Sequence, residues 1–205
     1  MLNPSDDIVK PKNESTVSLG GARPGSCRKG NQSMLPKSSV NAVAVKKEDK
    51  EARLKAFIAE NLESCAAASP DAAAPAVITL VARSVGSPVV SALCAFASEL
   101  AAQYVAVEVV LASEGGDREA AVSLVAAGWR VRILKDLRFR DAHEQLVIGS
   151  LSAWIGDCMR RDPLKRDAFE SFAAACPTTV ARTSTSFDRL WLKAIPIQIP
   201  QACGA

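Results

Sequence analysis

Histidine is almost absent from this 205-residue chain, which has one, His143, and aromatic residues make up only 5% of it. The six cysteines include no CxxC pair, and the sequence has no His/Cys cluster of the kind that binds zinc. We therefore predict neither a metal site nor a cofactor. Cys65 and Cys94 fall on the apolar faces of predicted helices, so we expect both to pack in the core as reduced thiols.

Long hydrophobic runs are also missing, although 48% of the residues are hydrophobic. No apolar segment reaches the roughly 18–20 residues that a membrane-spanning helix needs. The opening residues, MLNPSDDIVK, contain no apolar stretch typical of a secretory signal. We therefore expect a cytoplasmic protein without a membrane span.

The net charge of +3 is unevenly distributed. Residues 1–50 contain nine Lys or Arg against five Asp or Glu, whereas the other residues contain sixteen against seventeen. Residues 1–46 are rich in Ser, Asn, Lys, Gly and Pro and lack apolar periodicity, which predicts a disordered basic tail able to make weak phosphate contacts. The rest of the chain is nearly neutral, which argues against a strongly basic nucleic-acid-binding domain.

From Lys47 onward, helical and strand-like patterns alternate. Apolar spacings of three and four predict a helix from Lys47 to Ala67, and Ser87 with Pro88 begins a second helix. The strand-like segments are AVITLVAR (76–83), YVAVEVVLAS (104–113), WRVRIL (129–134) and HEQLVI (143–148), with a short helix at 118–127 and a hairpin return at 153–155. This order predicts an α/β domain with a mixed β-sheet flanked by helices on both faces.

Towards the C-terminus we predict a helix that starts at Asp162-Pro163. Its predicted inner face consists of Leu164, Ala168, Phe169 and Phe172. Thr178–Thr183 is predicted as a strand, and Ser186 as the cap of a last helix, FDRLWLKA. The predicted domain covers residues 47–195, after the disordered tail 1–46 and before a loose tail at 196–205.

Around the histidine, the order of elements resembles one half of a phospholipase D fold. The strand VRIL (131–134) and a polar loop precede a strand that opens with His143, as they do in that family. The family signature is H-x-K-x-x-x-x-D, followed by a Gly-Ser-x-Asn turn. The resemblance covers roughly residues 50–194 and includes FDRLWLKA, which is similar to the family's terminal helix.

The signature is altered at most of its positions. His143 stands at the histidine position, but Gln145 replaces the lysine and Ser150 replaces the aspartate. The turn falls at Gly156, one residue short of the usual spacing, with Asp157 where the family has Ser.

The resemblance implies a division of labour among these positions. In the family, histidine attacks phosphorus, lysine neutralises the phosphoryl oxygens, and aspartate orients a histidine. Gln145 can donate a hydrogen bond but has no charge, and Ser150 cannot act as a carboxylate. Two such motifs form one site in the family, so a chain with one motif implies a homodimer or a partner half.

A basic set in the same stretch is the second candidate site. Its members are Arg130, Arg132, Lys135, Arg138 and Arg140. Such a set is commonly a solvated strand face and loop. The resemblance, however, brings residues 135–142 close to the pocket, where cations hold a phosphate or a nucleic-acid backbone without cleaving it.

Three functions follow from these observations. The first is a non-catalytic binding or regulatory protein with a degenerate site, which takes a phosphate or nucleic-acid ligand and self-associates through the face that carries His143. The second is a homodimeric phosphodiesterase or nuclease that uses His143 from each subunit. The third is a structural partner that completes the site of another chain.

Overall fold

The computed structural model describes residues 39–67, 76–112 and 118–197. Most of the predicted N-terminal tail and of the predicted C-terminal tail lies outside these ranges.

Within these ranges, eight strands form one mixed sheet in the order β1-β7-β6-β5-β2-β3-β4-β8. They are β1 (Ser39–Val45), β2 (Val77–Ala82), β3 (Ala106–Leu111), β4 (Arg130–Ile133), β5 (His143–Ile148), β6 (Ser152–Cys158), β7 (Ala168–Ala174) and β8 (Ile195–Pro196). Strands β2, β3 and β4 run parallel, and the other neighbouring pairs are antiparallel. The predicted mixed sheet is therefore confirmed.

Helices cover both faces of this sheet, as predicted. They are α1 (Lys50–Ala67), α2 (Pro88–Cys94), α3 (Ala97–Ala102), α4 (Arg118–Ala126) and α5 (Pro177–Lys193). The apolar side chains of α1, α2 and α4 belong to the large core cluster on one face. On the other face, Phe187 and Leu190 of α5 pack against Val81 and Val110.

The central strand β2 shows why the sheet needs two helical layers. Leu80, Val81 and Ala82 are all fully buried, and successive side chains of a strand point to opposite faces. An apolar run such as VITLVA is therefore stable only where both faces are covered. Gly128, with a φ of +89°, ends the turn after α4, because a residue without a side chain adopts this left-handed conformation readily.

The helix predicted from Asp162 is wrong, because Ala168–Ala174 is strand β7. Ala168 and Glu170 are buried, whereas Phe169 is 81% exposed, which is the alternation of a strand. The buried Glu170 explains why the apolar pattern does not predict a strand here. Its carboxylate accepts a hydrogen bond from the indole of Trp154 and pairs with Lys50, so a charged residue occupies an inward position.

The strand predicted at Thr178–Thr183 is also wrong, because these residues form the first turns of α5. Threonines favour strands because they are branched at Cβ. Here the hydroxyls of Thr183 and Thr185 donate to the carbonyl oxygens of Thr179 and Ala181, one helical turn earlier, at 2.8 Å each. These bonds fit a helix that starts at Pro177 and includes the predicted terminal helix.

Three smaller predictions also need correction. Ser39–Val45, placed in the disordered tail, is the edge strand β1 and pairs along its whole length with β7. Residues 196 and 197, placed in the predicted loose C-terminal tail, belong to the fold, since Pro196 is in β8 and the Ile197 N–H donates to the Val131 carbonyl at 3.1 Å. Cys94 is exposed rather than in the core, because it lies at the outer end of α2, and the side chain of Cys65 lies outside the described part.

Candidate functional site

Strand β5 directs its side chains alternately to the two faces of the sheet. Leu146 and Ile148 belong to the core under α1 and α2, whereas Val147 packs with Val180 of α5. His143 and Gln145 share the face of Val147, because a strand has a side-chain period of two. The histidine and the residue at the lysine position therefore lie side by side under α5.

The register across the sheet extends this surface. Gln145 pairs with Ile155 of β6, and Ile155 pairs with Ser171 of β7. Directly opposed residues in antiparallel strands point to the same face. The three side chains therefore form a row next to His143.

A β-bulge fixes the ring of His143. Between His143 and Gln145 the pairing with β6 shifts, so that Gly156 and Asp157 oppose a single residue of β5. At this point His143 Nδ1 lies 2.8 Å from the carbonyl oxygen of Gly156. A carbonyl only accepts, so Nδ1 carries the proton, and Nε2 of a neutral ring keeps its lone pair. The turn predicted at Gly156 is therefore wrong in form, because Gly156 lies within β6, but the residue does adjoin the histidine.

These side chains line a cleft of about 460 Å³, here called the histidine cleft. Its lining consists of Val40, Ala142, His143, Gln145, Ile155 and Ser171 from the sheet side and Thr179, Arg182, Thr183 and Ser186 from α5. No Asp or Glu is among these lining residues. The fixed charge of the cleft is therefore positive.

Gln145 is held in place by helix α5. Its side chain is 5% exposed, and Nε2 donates to the carbonyl oxygen of Thr183 at 3.2 Å. The resemblance puts a lysine ammonium at this position, whereas here an uncharged amide joins the sheet to the helix. The bond gives Gln145 a structural role that its position in the motif does not predict.

Ser150, which stands at the aspartate position of the motif, lies outside the cleft. It lies in the exposed turn between β5 and β6, beyond the far end of the strand that His143 begins. At about 3.3 Å per residue, this puts it more than ~15 Å along the strand from His143. Ser150 therefore cannot orient His143 within the same chain.

The predicted basic set is divided by the sheet order. Strand β4, which carries Arg130 and Arg132, is separated from β5 by β2 and β3, so these two arginines do not adjoin the histidine strand. Arg130 pairs with its cross-strand neighbour Glu108. Arg132 donates to the Trp191 carbonyl at 2.9 Å, and its guanidinium lies 4.2 Å from the centre of the indole ring. Both cations serve the sheet and its packing on α5.

The other three members lie before β5. Lys135 is exposed, and Arg138 and Arg140 belong to a short 3₁₀ helix at Leu137–Asp141. Arg138 forms an ion pair with Asp136 at 2.6 Å, and its hydrogen bonds lower the pKa of that carboxyl group. Because Asp136 pairs with Arg138, the guanidinium of Arg138 is less available to an anionic ligand.

The sequence prediction missed the polar face of α5. Thr179 is followed three and four residues later by Arg182 and Thr183, and Ser186 lies four and three residues after these two, which places all four on one side of a helix. This signal was present in the sequence. The predicted strand at 178–183 does not reveal it, because in a strand the same residues would alternate between faces.

Next to the cleft, but on the opposite face of β5, the sheet buries a charged network. Glu144 accepts from the Arg83 N–H at 3.0 Å, and Glu170 lies 3.7 Å from the ammonium of Lys50. Burial raises the pKa of both glutamates, and the bonds from Arg83 to Glu144 and from Trp154 to Glu170 oppose this rise. These groups point towards α1 and α2 and not into the cleft.

The described residues include neither a metal-binding cluster nor a membrane-spanning helix. Within residues 39–67, 76–112 and 118–197, no group of three or more His, Cys, Asp or Glu is arranged to hold a metal ion. None of the described helices combines the length and apolar character required to cross a membrane.

The fold is similar to that of several solved structures. Nuc from Salmonella typhimurium, a phospholipase D family member, matches with a TM-score of 0.57 and 14% identity over 80% of this chain and 100% of Nuc. NucT from Helicobacter pylori matches with a TM-score of 0.52 and 11% identity over 78% of this chain and 98% of NucT. Polyphosphate kinase from Porphyromonas gingivalis matches with a TM-score of 0.52 and 14% identity over 80% of this chain, but the match covers only 27% of the kinase.

No protein-family model matches the sequence, and no curated protein is significantly similar to it. At identities of 11–14%, the structural likeness establishes the fold and not the activity. The chain therefore has a phospholipase D-like α/β fold with one histidine cleft.

Proposed function

We propose that the protein binds a phosphate-containing ligand in the histidine cleft without hydrolysing it, as a binding or regulatory protein with a degenerate phospholipase D-like site. Gln145 is the observation that carries this proposal. It stands at the lysine position of the resemblance, has no charge, and its amide is bonded to the Thr183 carbonyl. The cleft therefore lacks, at this position, the cation that would neutralise a phosphoryl group during reaction.

The missing charge at Gln145 is expected to lower the rate of hydrolysis more than the affinity for a phosphate. Removing one group that stabilises developing negative charge typically lowers a rate by about 10²–10³. A ground-state phosphate depends less on any single donor, because it accepts hydrogen bonds at several oxygens. A cleft lined by a histidine, four hydroxyl-bearing residues and no carboxylate remains suited to an anion.

Two assays on the wild type and on His143→Ala test the proposal. Titration calorimetry with the dinucleotide dTpdT, which has one phosphodiester, measures binding, and release of p-nitrophenol from bis-para-nitrophenyl phosphate measures hydrolysis. We expect the wild type to bind dTpdT, His143→Ala to bind it several-fold more weakly, and neither to hydrolyse the ester above background. A wild-type protein that does not bind dTpdT would disprove the proposed function.

A homodimeric phosphodiesterase is the second candidate, and the geometry of His143 favours it. The bond from Nδ1 to Gly156 leaves Nε2 available as a nucleophile, and a second copy would supply a second histidine. In the hydrolysis assay this function predicts turnover that is lost in His143→Ala and is proportional to the fraction of dimer. The same outcome would replace the first proposal.

The homodimer is itself a proposal, and the uncovered part of the sheet supports it. Val40 of β1, which also lines the cleft, is 52% exposed, and Phe169 of β7 is 81% exposed on the same face, which α5 covers elsewhere. Large apolar side chains on an open strand face favour burial against a partner. A second copy on this face would bring its own histidine cleft close to the first.

A further inference from the structure

Arg182 differs from the arginines that the sequence singled out. It lines the histidine cleft from α5, it is exposed, and it makes no ion pair or side-chain hydrogen bond with any residue in the described ranges. By contrast, Arg130, Arg132 and Arg138 are each engaged by an acid or by Trp191. Arg182 is thus the one Lys or Arg among the described residues that line the cleft, and it has no internal partner.

The position of Arg182 relates directly to the missing lysine. It precedes Thr183, whose carbonyl oxygen holds the side chain of Gln145. The chain segment that anchors the neutral amide therefore also carries a cation at the same cleft. A positive charge absent from the strand is supplied from the helix.

Two serines, each with a hydroxyl group, line the same cleft. Ser171 on β7 and Ser186 on α5 line the cleft, and neither donates or accepts a side-chain hydrogen bond within the described residues. A guanidinium with two available hydroxyls can donate to the oxygens of one phosphate group. Thr183 differs from them, because its hydroxyl is bonded to the Thr179 carbonyl.

We propose that Arg182 is the anion-binding cation of the histidine cleft and that it holds the phosphate with Ser171 and Ser186, in place of the charge that Gln145 lacks. This inference rests on the proposed function. It also narrows the ligand, because one fixed positive charge balances the single negative charge of a phosphodiester better than the double charge of a phosphate monoester.

The test uses the whole chain and three substitutions. Arg182→Ala removes the charge, Arg182→Lys keeps the charge but removes the planar fork, and Arg189→Ala is the control, an exposed arginine of the same helix outside the cleft lining. Titration calorimetry with dTpdT gives the affinities, and thermal unfolding reports whether the fold is unchanged.

We expect Arg182→Ala to weaken dTpdT binding at least about ten-fold, as loss of a charge-assisted hydrogen bond predicts, and to reduce its dependence on salt. Arg182→Lys should restore part of the affinity, and Arg189→Ala should bind like the wild type. A merely structural role of Arg182 would instead appear as a lower melting temperature without rescue by lysine.

The outcomes separate this inference from the proposed function. If the wild type binds dTpdT and Arg182→Ala binds equally well, the assignment of Arg182 fails while the binding function stands. If the wild type does not bind, both fail. A parallel titration with glycerophosphoglycerol, a phosphodiester derived from lipid headgroups, shows whether the cleft prefers a nucleotide or a lipid source of the same group.

Discussion

At the residue scale, the neighbouring positions Glu144 and Gln145 show how one strand serves two purposes. Gln145 faces the histidine cleft, and Glu144 faces the core, where it accepts from the Arg83 N–H and from the hydroxyl of Ser87. Burying a carboxylate is costly unless it is bonded and balanced by charge. Lys50 is the cation buried with Glu144 and Glu170. The partly exposed Arg83 guanidinium also acts on Glu144 but pairs with Asp162, so the buried part of the network holds two carboxylates and one ammonium.

This excess of carboxylate predicts that stability falls as the pH rises. Burial raises the folded-state pKa of Glu144 and of Glu170, so the folded protein holds protons that the unfolded chain has already released. The stability that the fold gains from holding these protons is complete below the ordinary glutamate pKa. It is lost as the pH rises through the raised pKa of the folded-state carboxyl groups. We expect a higher melting temperature near pH 5 than near pH 8.

Glu144→Gln is the variant that tests this origin. It keeps an oxygen for the Arg83 N–H but removes the charge, so the melting temperature should depend less on pH than in the wild type. Glu63→Gln, at an exposed position of α1, is the matched control and should keep the wild-type dependence. An identical pH dependence in Glu144→Gln and the wild type would show that the network does not titrate.

At the scale of single elements, strand β6 joins the cleft to the core through Gly156. Its carbonyl oxygen accepts from His143, and a Cβ at this position would lie 2.5 Å from two ring atoms of Trp154. Trp154 is 1% exposed and donates to Glu170, so its ring has little freedom to move. The glycine is required by packing, which is a reason that the motif resemblance alone does not supply.

Gly156→Ala should therefore destabilise the fold. Overpacking a filled core typically costs about 1–3 kcal/mol. Chemical denaturation measures this loss. Gly86→Ala is the control, because a Cβ there would meet no atom closer than 3.7 Å, and it should cost far less. Equal stability of the two variants would show that the Trp154 ring can shift.

The elements also show what the sequence could and could not predict. The strands from β2 to β6 were predictable because their apolar runs and turn residues follow simple periods, and His143 stood out through the motif order. Strands β1 and β7 were not predictable. The residues of β1 are mostly Val and Ala and show no clear alternation of polar and apolar side chains, and β7 has the charged Glu170 at a buried position. Arg182 was not predictable for a different reason. Its place in the cleft depends on residues 178–183 being helical, whereas their threonines predict a strand.

At the scale of the whole molecule, the open face of β1 and β7 predicts self-association. A polar substitution of Phe169, which is 81% exposed, should shift the mass measured by light scattering towards the monomer at micromolar concentration. Leu192→Ser, at a 79% exposed position on α5, is the control and should leave the mass unchanged. A wild-type protein that is monomeric at all concentrations would exclude the homodimer.

One histidine in the chain also makes the molecule its own spectroscopic probe. A ¹⁵N-labelled sample gives imidazole signals from His143 alone, with no need for assignment by mutation. The bond to the Gly156 carbonyl fixes which ring nitrogen is protonated in the neutral form, so the two nitrogens have distinct resonance frequencies. Occupancy of the cleft can then be followed in the intact protein, without a label on the ligand and without any chemical turnover.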